Sequence, residues 1–261
     1  MKFPNKLQQY IENKSYICDQ IGMSGAGVYI FEDMVLKVQK IDTESENEVK
    51  MLMWLNGKMT VPNIIEHIRE NGYSYLLMNK CTGKMACDPE YMKQPKRQVE
   101  LLAETMHHLW SIPINDCPCQ FFLDKRLEMA KDNIINNRVD INDTEPNTFG
   151  PNGFRDPDAL LYWLQENKPD EEPAICHGDF CLPNIFLSES GLTGMIDLGR
   201  AGAADPWLDI ALCCRSLEHN YNGVYDGNRY EGYHRQMLFD ALGIQPDLER
   251  IRYYILLDEL F

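Results

Sequence analysis

The hydrophobic period of this chain changes near residue 81, and that change restricts the choice of folds more than any single motif. Between Tyr16 and Leu36 the short β-type runs Tyr16-Ile17-Cys18 and Val28-Tyr29-Ile30-Phe31 alternate with Gly22, Gly25, Gly27 and the turn Glu32-Asp33, the pattern of an antiparallel meander. Residues 45–55 switch to a helical period with Val49, Leu52 and Met53 on one face. Ser45 and Glu48 form a candidate capping box at its start. Two further strand-like runs, 64–68 and 73–78, flank the turn Glu70-Asn71-Gly72. Beyond Cys81 the character is helical. Val99, Leu102, Ala103, Met106 and Leu109 make one stripe ending before Pro113, and 123–135 is a second helix. Residues 136–157 carry Asn, Asp, Gly and Pro without periodicity and read as a long acidic surface loop. Short strands follow at 174–176, 185–187 and 192–196. Asp205-Pro206 then supplies an N-cap and first-turn proline for a helix striped by Trp207, Ile210, Ala211, Cys214 and Leu217, with further helices over 230–242 and 247–260. The fold class expected is α+β: an antiparallel sheet with one inserted helix, then a mainly helical part.

With 261 residues, 44% of them hydrophobic, the chain can bury a full core without staples. Its longest apolar run is far below the roughly 18 residues of a membrane span, and the N-terminus lacks the apolar segment of a secretion signal. No membrane association and a cytoplasmic location are therefore expected. The 25 basic residues against 40 acidic ones give a net charge of −15, which repels nucleic acid and attracts cationic small molecules. Nine cysteines with no C-x2-C pair give no zinc framework and read as small buried hydrophobes.

The densest chemical signal is Cys176-His177-Gly178-Asp179-Phe180-Cys181-Leu182-Pro183-Asn184, followed by Ile196-Asp197-Leu198-Gly199-Arg200. Two carboxylates and an amide lie on loops between short strands. Phosphoryl transfer needs such a set: an Asp to orient and accept the proton of the attacking hydroxyl, and oxygen ligands that hold Mg²⁺ against nucleotide phosphates. Asp179 fits the base, and Asn184 and Asp197 the metal ligands. Asp179 precedes Asn184 by five positions, as in the protein-kinase catalytic loop, and Asp197-Leu198-Gly199 stands where kinases carry D-F-G. His177 reads as a backbone-bonding residue of the loop. In the N-terminal part, Gly22-Met23-Ser24-Gly25-Ala26-Gly27 offers a turn whose amides and Ser24 hydroxyl can close over phosphates. Lys37 sits on a strand whose neighbours Leu36 and Val38 point to the other face, with Glu48 as its acidic partner, although Glu48 could serve the capping box instead.

On these residues the chain resembles the aminoglycoside 3'-phosphotransferases through nearly its whole length. Beyond the kinase-type residues, Ala204-Asp205, Trp54-Leu55-Asn56-Gly57-Lys58, Asp116-Cys117-Pro118 and the ending Leu256-Leu257-Asp258-Glu259-Leu260-Phe261 carry the likeness, and that ending suggests a complete chain. The resemblance implies a protein-kinase-like two-lobed fold, with residues 1–80 as the nucleotide-binding lobe and 81–261 as the helical lobe. It implies ATP or GTP and Mg²⁺ as cofactors and an aminoglycoside as the cationic substrate. Residue by residue, Ser24 would lie over the β-phosphate and Lys37, paired with Glu48, would contact the α/β-phosphates. Met78, with the backbone of Asn79 and Cys81, would meet the base. Asp179 and Arg200 would be catalytic, with Asn184 and Asp197 on the metal. Asp143, Glu145, Glu218, Glu259 and the carboxylate of Phe261 would face the substrate. A monomer or weak dimer is expected.

The chain departs from the family in two places that remove negative charge from the substrate side. Phe180-Cys181-Leu182-Pro183 lacks the acidic residue many relatives carry, and His219-Asn220 replaces an acidic pair beside Glu218. The Lys37 to Glu48 spacing is also short, implying a trimmed connection. Two other functions fit part of the signal: a kinase for another small alcohol such as choline, homoserine or a sugar, and a non-catalytic kinase-like binding module.

Overall fold

The computed structural model of the chain describes residues 3–19, 27–225 and 227–261. A short helix α1 (Asn5–Ile11) leads into strands β1 (Ile17–Asp19), β2 (Gly27–Ile30) and β3 (Met34–Lys40). Helix α2 (Thr43–Leu55) follows, then β4 (Ile64–Glu70) and β5 (Tyr73–Asn79), and the strands form one antiparallel sheet in the order β1-β2-β3-β5-β4. Asn71 and Gly72 both take positive φ (53° and 80°), the twist a two-residue hairpin needs between β4 and β5. The alternation in β3 places Leu36 and Val38 in a small core with Phe31, Tyr75, Leu77 and the α1 residues Leu7 and Ile11. Lys37, paired in register with Leu76, therefore belongs to the other face, where α2 packs.

Two expectations about α2 change. The helix begins at Thr43, and Asp42 is its N-cap: the Asp42 side chain accepts from the Ser45 amide at 2.7 Å while Ser45 Oγ accepts from the Asp42 amide at 2.9 Å. Ser45 thus closes the box from inside, and Glu48 takes no part in capping. The buried stripe runs through Glu48, Val49, Met51, Leu52 and Leu55, and Met53, expected on it, is 68% exposed. At 3.6 residues per turn Met53 stands about 140° round the wheel from Glu48 and about 160° from Met51 and Leu55, so it faces away from the buried stripe.

Past Asn79 the chain forms β6 (Lys84–Met85) and helices α3 (Pro89–Met92), α4 (Pro95–Trp110), α5 (Leu123–Ile135) and α6 (Pro157–Glu166). Strands β7 (Ala174–Cys176), β8 (Ile185–Ser188), β9 (Gly191–Met195) and β10 (Gly202–Ala204) come next, then α7 (Pro206–Asn222), α8 (Gln236–Leu242) and α9 (Leu248–Asp258). The strands make two small antiparallel sheets, β6-β8-β9 and β7-β10. They hold the loops 177–184 and 196–201 between them. Helix α6 was not expected, although Asp156-Pro157 repeats the cap-and-proline signal of Asp205-Pro206: the Asp156 side chain accepts from the Ala159 amide at 2.8 Å. Helix α8 starts six residues later than expected because Gly232, at φ 90°, breaks the run before it. One continuous core joins the α2 face of the first sheet to the helices, with Leu52, Leu76, Leu102, Leu160, Leu182, Ile210 and Tyr254 among its members. Cys117, Cys119, Cys176, Cys213 and Cys214 are buried free thiols in it. Among the described residues no helix is long and apolar enough to cross a membrane.

Candidate active site

Three charged side chains meet where β3, α2 and the loop after β9 converge. Lys37 Nζ lies 2.9 Å from Glu48 Oε2 and 2.8 Å from Asp197 Oδ1. Burial alone would lower the pKa of the Lys37 ammonium, but Glu48 and Asp197 outweigh it and hold the group protonated beyond its ordinary range. Burial would likewise raise the carboxyl of Asp197, and Lys37 reverses the sign, keeping it ionised below its usual range. Asp197 adopts the left-handed backbone conformation (φ 61°, ψ 52°), uncommon for a residue with a side chain and concentrated at functional sites.

The loop after β7 supplies the second part. Asn184 Nδ2 donates to Asp179 Oδ2 at 2.9 Å and to the Asp179 carbonyl at 3.1 Å, and the Ile196 amide donates to the Asn184 carbonyl at 3.0 Å. Asp179, Asn184 and Asp197 therefore sit in one connected unit, each half-buried. His177 does bond backbone: its Nε2 is 3.0 Å from the Ile196 carbonyl, and its Nδ1 accepts from the Asp179 amide at 3.3 Å. Beneath them Asp209, fully buried on α7, accepts the amides of His177 at 2.7 Å and Gly178 at 2.9 Å. Burial pushes the Asp209 carboxyl above its ordinary pKa, with His177 and the two amides opposing. Gly178 is at φ 83°, and a Cβ there would lie 2.0 Å from the Arg200 carbonyl oxygen. Gly178→Ala is accordingly expected to cost on the order of 3 kcal/mol in denaturant unfolding and to displace Asp179. Unfolding within 1 kcal/mol of the parent, with activity kept, would contradict the tight packing of these loops.

A carboxylate-rich basin adjoins this unit. Arg200 Nε is 3.0 Å from Glu44 Oε1, its Nη1 is 3.3 Å from Asp258 Oδ1, and its guanidinium stands 5.3 Å from the Phe261 ring centroid. Arg215 pairs with Asp258, with Glu259 at 3.5 Å and with Glu145 at 3.9 Å. The Glu145 amide donates to Glu259 Oε2 at 2.9 Å, and His219 Nε2 lies 3.2 Å from Glu145 Oε1. The C-terminal segment is anchored through Asn133 Nδ2, which donates to the Leu260 carbonyl at 2.8 Å. Burial drives Glu259 up to about 7, against the opposing pull of the Glu145 amide and Arg215. Glu145 and Glu259 thus come together around Arg215, and Phe261 lies against Arg200, which Asp258 links to Arg215. Glu218 is engaged elsewhere, held by Arg235 at 2.6 and 2.8 Å. Asp143 lies in the exposed part of the 136–156 loop, its amide bonded to the Asp140 carbonyl at 3.2 Å.

The sequence profile of the phosphotransferase enzyme family (APH) matches residues 22–254. The chain belongs to that family. It is 38% identical over 275 residues to an aminoglycoside 3'-phosphotransferase of Enterococcus faecalis, covering 100% of this chain and 99% of the relative. It is 38% identical over 274 residues to an aminoglycoside 3'-phosphotransferase of Staphylococcus aureus, with the same shares covered. In three dimensions it is similar to the crystal structure of an aminoglycoside-3'-phosphotransferase of type VIII, with TM-score 0.80 and 25% identity over 95% of this chain and 94% of that one. The fold is the kinase-like, two-lobed α+β fold of these phosphotransferases.

The segment expected to meet the nucleotide base is the end of β5 and the two residues after it. The Asn79 amide donates to the Asn63 carbonyl at 3.1 Å and the Lys80 amide to the Asp33 carbonyl at 3.1 Å, so of the Asn79 backbone groups only the carbonyl can serve a base. Met78 is buried, and burial raises the Cys81 thiol to about 11, which keeps it a neutral, inert wall. Ser24 lies outside the described residues. Among the described residues no three His, Cys, Asp or Glu gather into a closed cage. An open, all-oxygen set of Asp197 and Asn184, already attracting the Lys37 cation, fits Mg²⁺, which takes one or two protein ligands and completes its shell with water and phosphate oxygens. Arg215, Asp258 and Asp209 were given no role by the sequence reading. Asp258 stands inside a stretch quoted for the resemblance and Arg215 just before the departure at His219-Asn220, whereas nothing but the position of a carboxylate in the buried stripe of α7 marks Asp209.

Proposed function

We infer that the chain moves the γ-phosphate of ATP or GTP to the 3'-hydroxyl of an aminoglycoside, and so protects its host from the drug. The observation that carries this reading is the unbroken run of contacts Glu48, Lys37, Asp197 and Ile196, Asn184, Asp179, which ends beside a basin of carboxylates. Residues 1–80 serve as the nucleotide-binding lobe and 81–261 as the lobe that carries catalysis and acceptor. Lys37 holds the α/β-phosphates, Ser24 closes over the β-phosphate, and Met78, Asn79 and Cys81 border the base. Asn184 and Asp197 would hold Mg²⁺, which when bound draws charge from the transferring phosphoryl group. Asp179 orients the acceptor hydroxyl and takes its proton as the new O–P bond forms and the bond to the leaving nucleoside diphosphate breaks. Arg200 steadies the basin between Glu44 and Asp258. Glu145, Glu259 and the Phe261 carboxylate receive substrate ammonium groups, and the names of the 3'-phosphotransferase relatives support the drug class. The net charge of −15 favours arrival of a polycation.

Nucleoside diphosphate release, measured over a panel of kanamycin, neomycin, choline and simple sugars, tests the assignment. Turnover with the aminoglycosides alone is expected; turnover with choline or a sugar alone would place the chain with another small-alcohol kinase. Glu259 adds a pH dependence. Its carboxyl binds a proton below about pH 7 in the folded protein, well above its ordinary 4.5, so the ammonium partner is lost as pH falls. KM for the aminoglycoside is therefore expected to rise between pH 8 and pH 6 with kcat changing less, and Glu259→Gln to flatten the dependence. The same shift favours folding at low pH, and that contribution is lost as pH rises from 4.5 through 7. A KM independent of pH in the parent protein would remove Glu259 from the acceptor site.

A further inference from the structure

Three consecutive carbonyls just past Asp197 are held by side chains that the reading above leaves without a part. Asn47, on α2 and buried, donates its Nδ2 to the Gly199 carbonyl at 2.8 Å and to the Ala201 carbonyl at 2.9 Å. Arg126, on α5, donates its Nη2 to the carbonyl between them, that of Arg200, at 3.3 Å. Arg126 is 4% exposed and stacks 5.5 Å from the Phe121 ring centroid. Its Nε has no hydrogen-bond partner, and among the described residues no carboxylate lies within ion-pair distance of it. A cation buried where Asp209 and Asp258 act on it only from beyond ion-pair distance is an expensive way to stabilise a fold, so packing alone does not explain its place.

The backbone around these carbonyls has no slack. A Cβ on Gly178 would meet the Arg200 carbonyl at 2.0 Å, one on Gly199 would meet Glu44 Cβ at 3.1 Å, and one on Gly202 would meet the Cys119 carbonyl at 2.6 Å. Asp197 itself is in the left-handed region, a conformation that persists only where the surroundings over-determine it. We propose that Asn47 and Arg126 are positioning residues: by fixing the carbonyls of 199–201 from two different lobes, they hold Asp197 in the one backbone state that turns its carboxylate toward Lys37 and the nucleotide-bound metal. This rests on the assignment of Asp197 as a metal ligand made above.

The test is nucleotide binding by titration calorimetry on the full chain, with a non-hydrolysable ATP analogue, in Mg²⁺ and in EDTA. The variants are Asn47→Ala, the isosteric Asn47→Asp, Arg126→Met, which keeps the apolar stem, and Arg126→Lys, which keeps one donor. Asn47→Ala and Arg126→Met are expected to reduce the Mg²⁺-dependent gain in affinity by about tenfold or more while binding in EDTA and the aminoglycoside KM stay within about twofold. Arg126→Lys is expected to recover part of the loss. Tyr253→Phe, which removes a hydroxyl bonded to the Leu164 carbonyl at 3.0 Å, weakens the fold away from the cleft and is expected to leave the Mg²⁺ gain unchanged. If Arg126→Met fails to fold, the Asn47 pair decides the matter. A parental Mg²⁺ gain in both Asn47 variants, or a loss that is equal in EDTA, overturns the proposal. No Mg²⁺ gain in the parent protein would instead sink the metal assignment of Asp197, and this inference with it.

Discussion

Asp179→Ala is expected to lower kcat by about 10³-fold, with nucleotide affinity changed by no more than about threefold. The asymmetry follows from the contacts. Among the described residues the Asp179 carboxylate bonds Asn184 Nδ2 and no residue of the first sheet, so its removal takes away the proposed proton acceptor without disturbing Lys37, Glu48 or the segment proposed to border the base. Asn184 keeps its bond to the Asp179 carbonyl at 3.1 Å, which holds the loop in place. Since orientation of the acceptor oxygen is lost together with the base, the deficit should appear in kcat and only weakly in the aminoglycoside KM. Steady-state kinetics with calorimetric nucleotide binding read both quantities. Comparable turnover in the variant would remove Asp179 from the chemistry, and a parallel collapse of nucleotide binding would make it a structural residue.

Asp197→Asn should show the complementary pattern, a kcat loss on the order of 10³-fold with a severe loss of Mg²⁺-dependent nucleotide affinity. The substitution preserves shape but removes the charge that Lys37 faces at 2.8 Å and that a divalent cation requires. Lys37 then keeps Glu48 at 2.9 Å as its counter-ion, so the buried pair survives and the fold with it. Burial holds the Glu48 carboxyl above its ordinary range, with Lys37 opposing it. Thermal unfolding of Asp197→Asn is therefore expected close to that of the parent, while raising Mg²⁺ should fail to restore turnover. Restoration at millimolar Mg²⁺ would show that Asn184 alone suffices to hold the metal.

The parts of the site that were legible in the sequence are those in which chemistry dictates local spacing. Asp179 and Asn184 share one loop, five positions apart and joined by a hydrogen bond of 2.9 Å, and Lys37 must alternate with Leu36 and Val38 to leave the α1 side of its sheet. The rest depends on tertiary packing. Asn47 and Arg126 read as ordinary helix-surface residues, and only the arrival of 199–201 beside them gives their donors a purpose. Arg215 is one arginine on a helix until α9 and the 136–156 loop bring Asp258, Glu259 and Glu145 to it. Glu218, which looked available for substrate, is taken by Arg235, seventeen residues on and across a Gly-rich turn that breaks the expected helix.

The α2 cap shows how a small error propagates. A box closed by Ser45 and Glu48 would divide Glu48 between two tasks. The cap at Asp42 frees Glu48 for Lys37 and brings β3 and α2 together through the two residues 41–42. The same Asp-Pro pair that announced α7 also opens α6, where the acidic, Gly-rich run before it masked the signal.

The most direct measurement is the position of the phosphate in the product. Kanamycin, Mg²⁺ and ATP or GTP would be incubated with the full chain and the product examined by ³¹P and two-dimensional NMR, beside a congener that lacks the 3'-hydroxyl. A single phosphate monoester on the 3'-oxygen, absent from the 3'-deoxy congener and absent with Asp179→Ala, is the expected result. Phosphate on another oxygen, equal transfer to the deoxy congener, or no transfer to any aminoglycoside would contradict it.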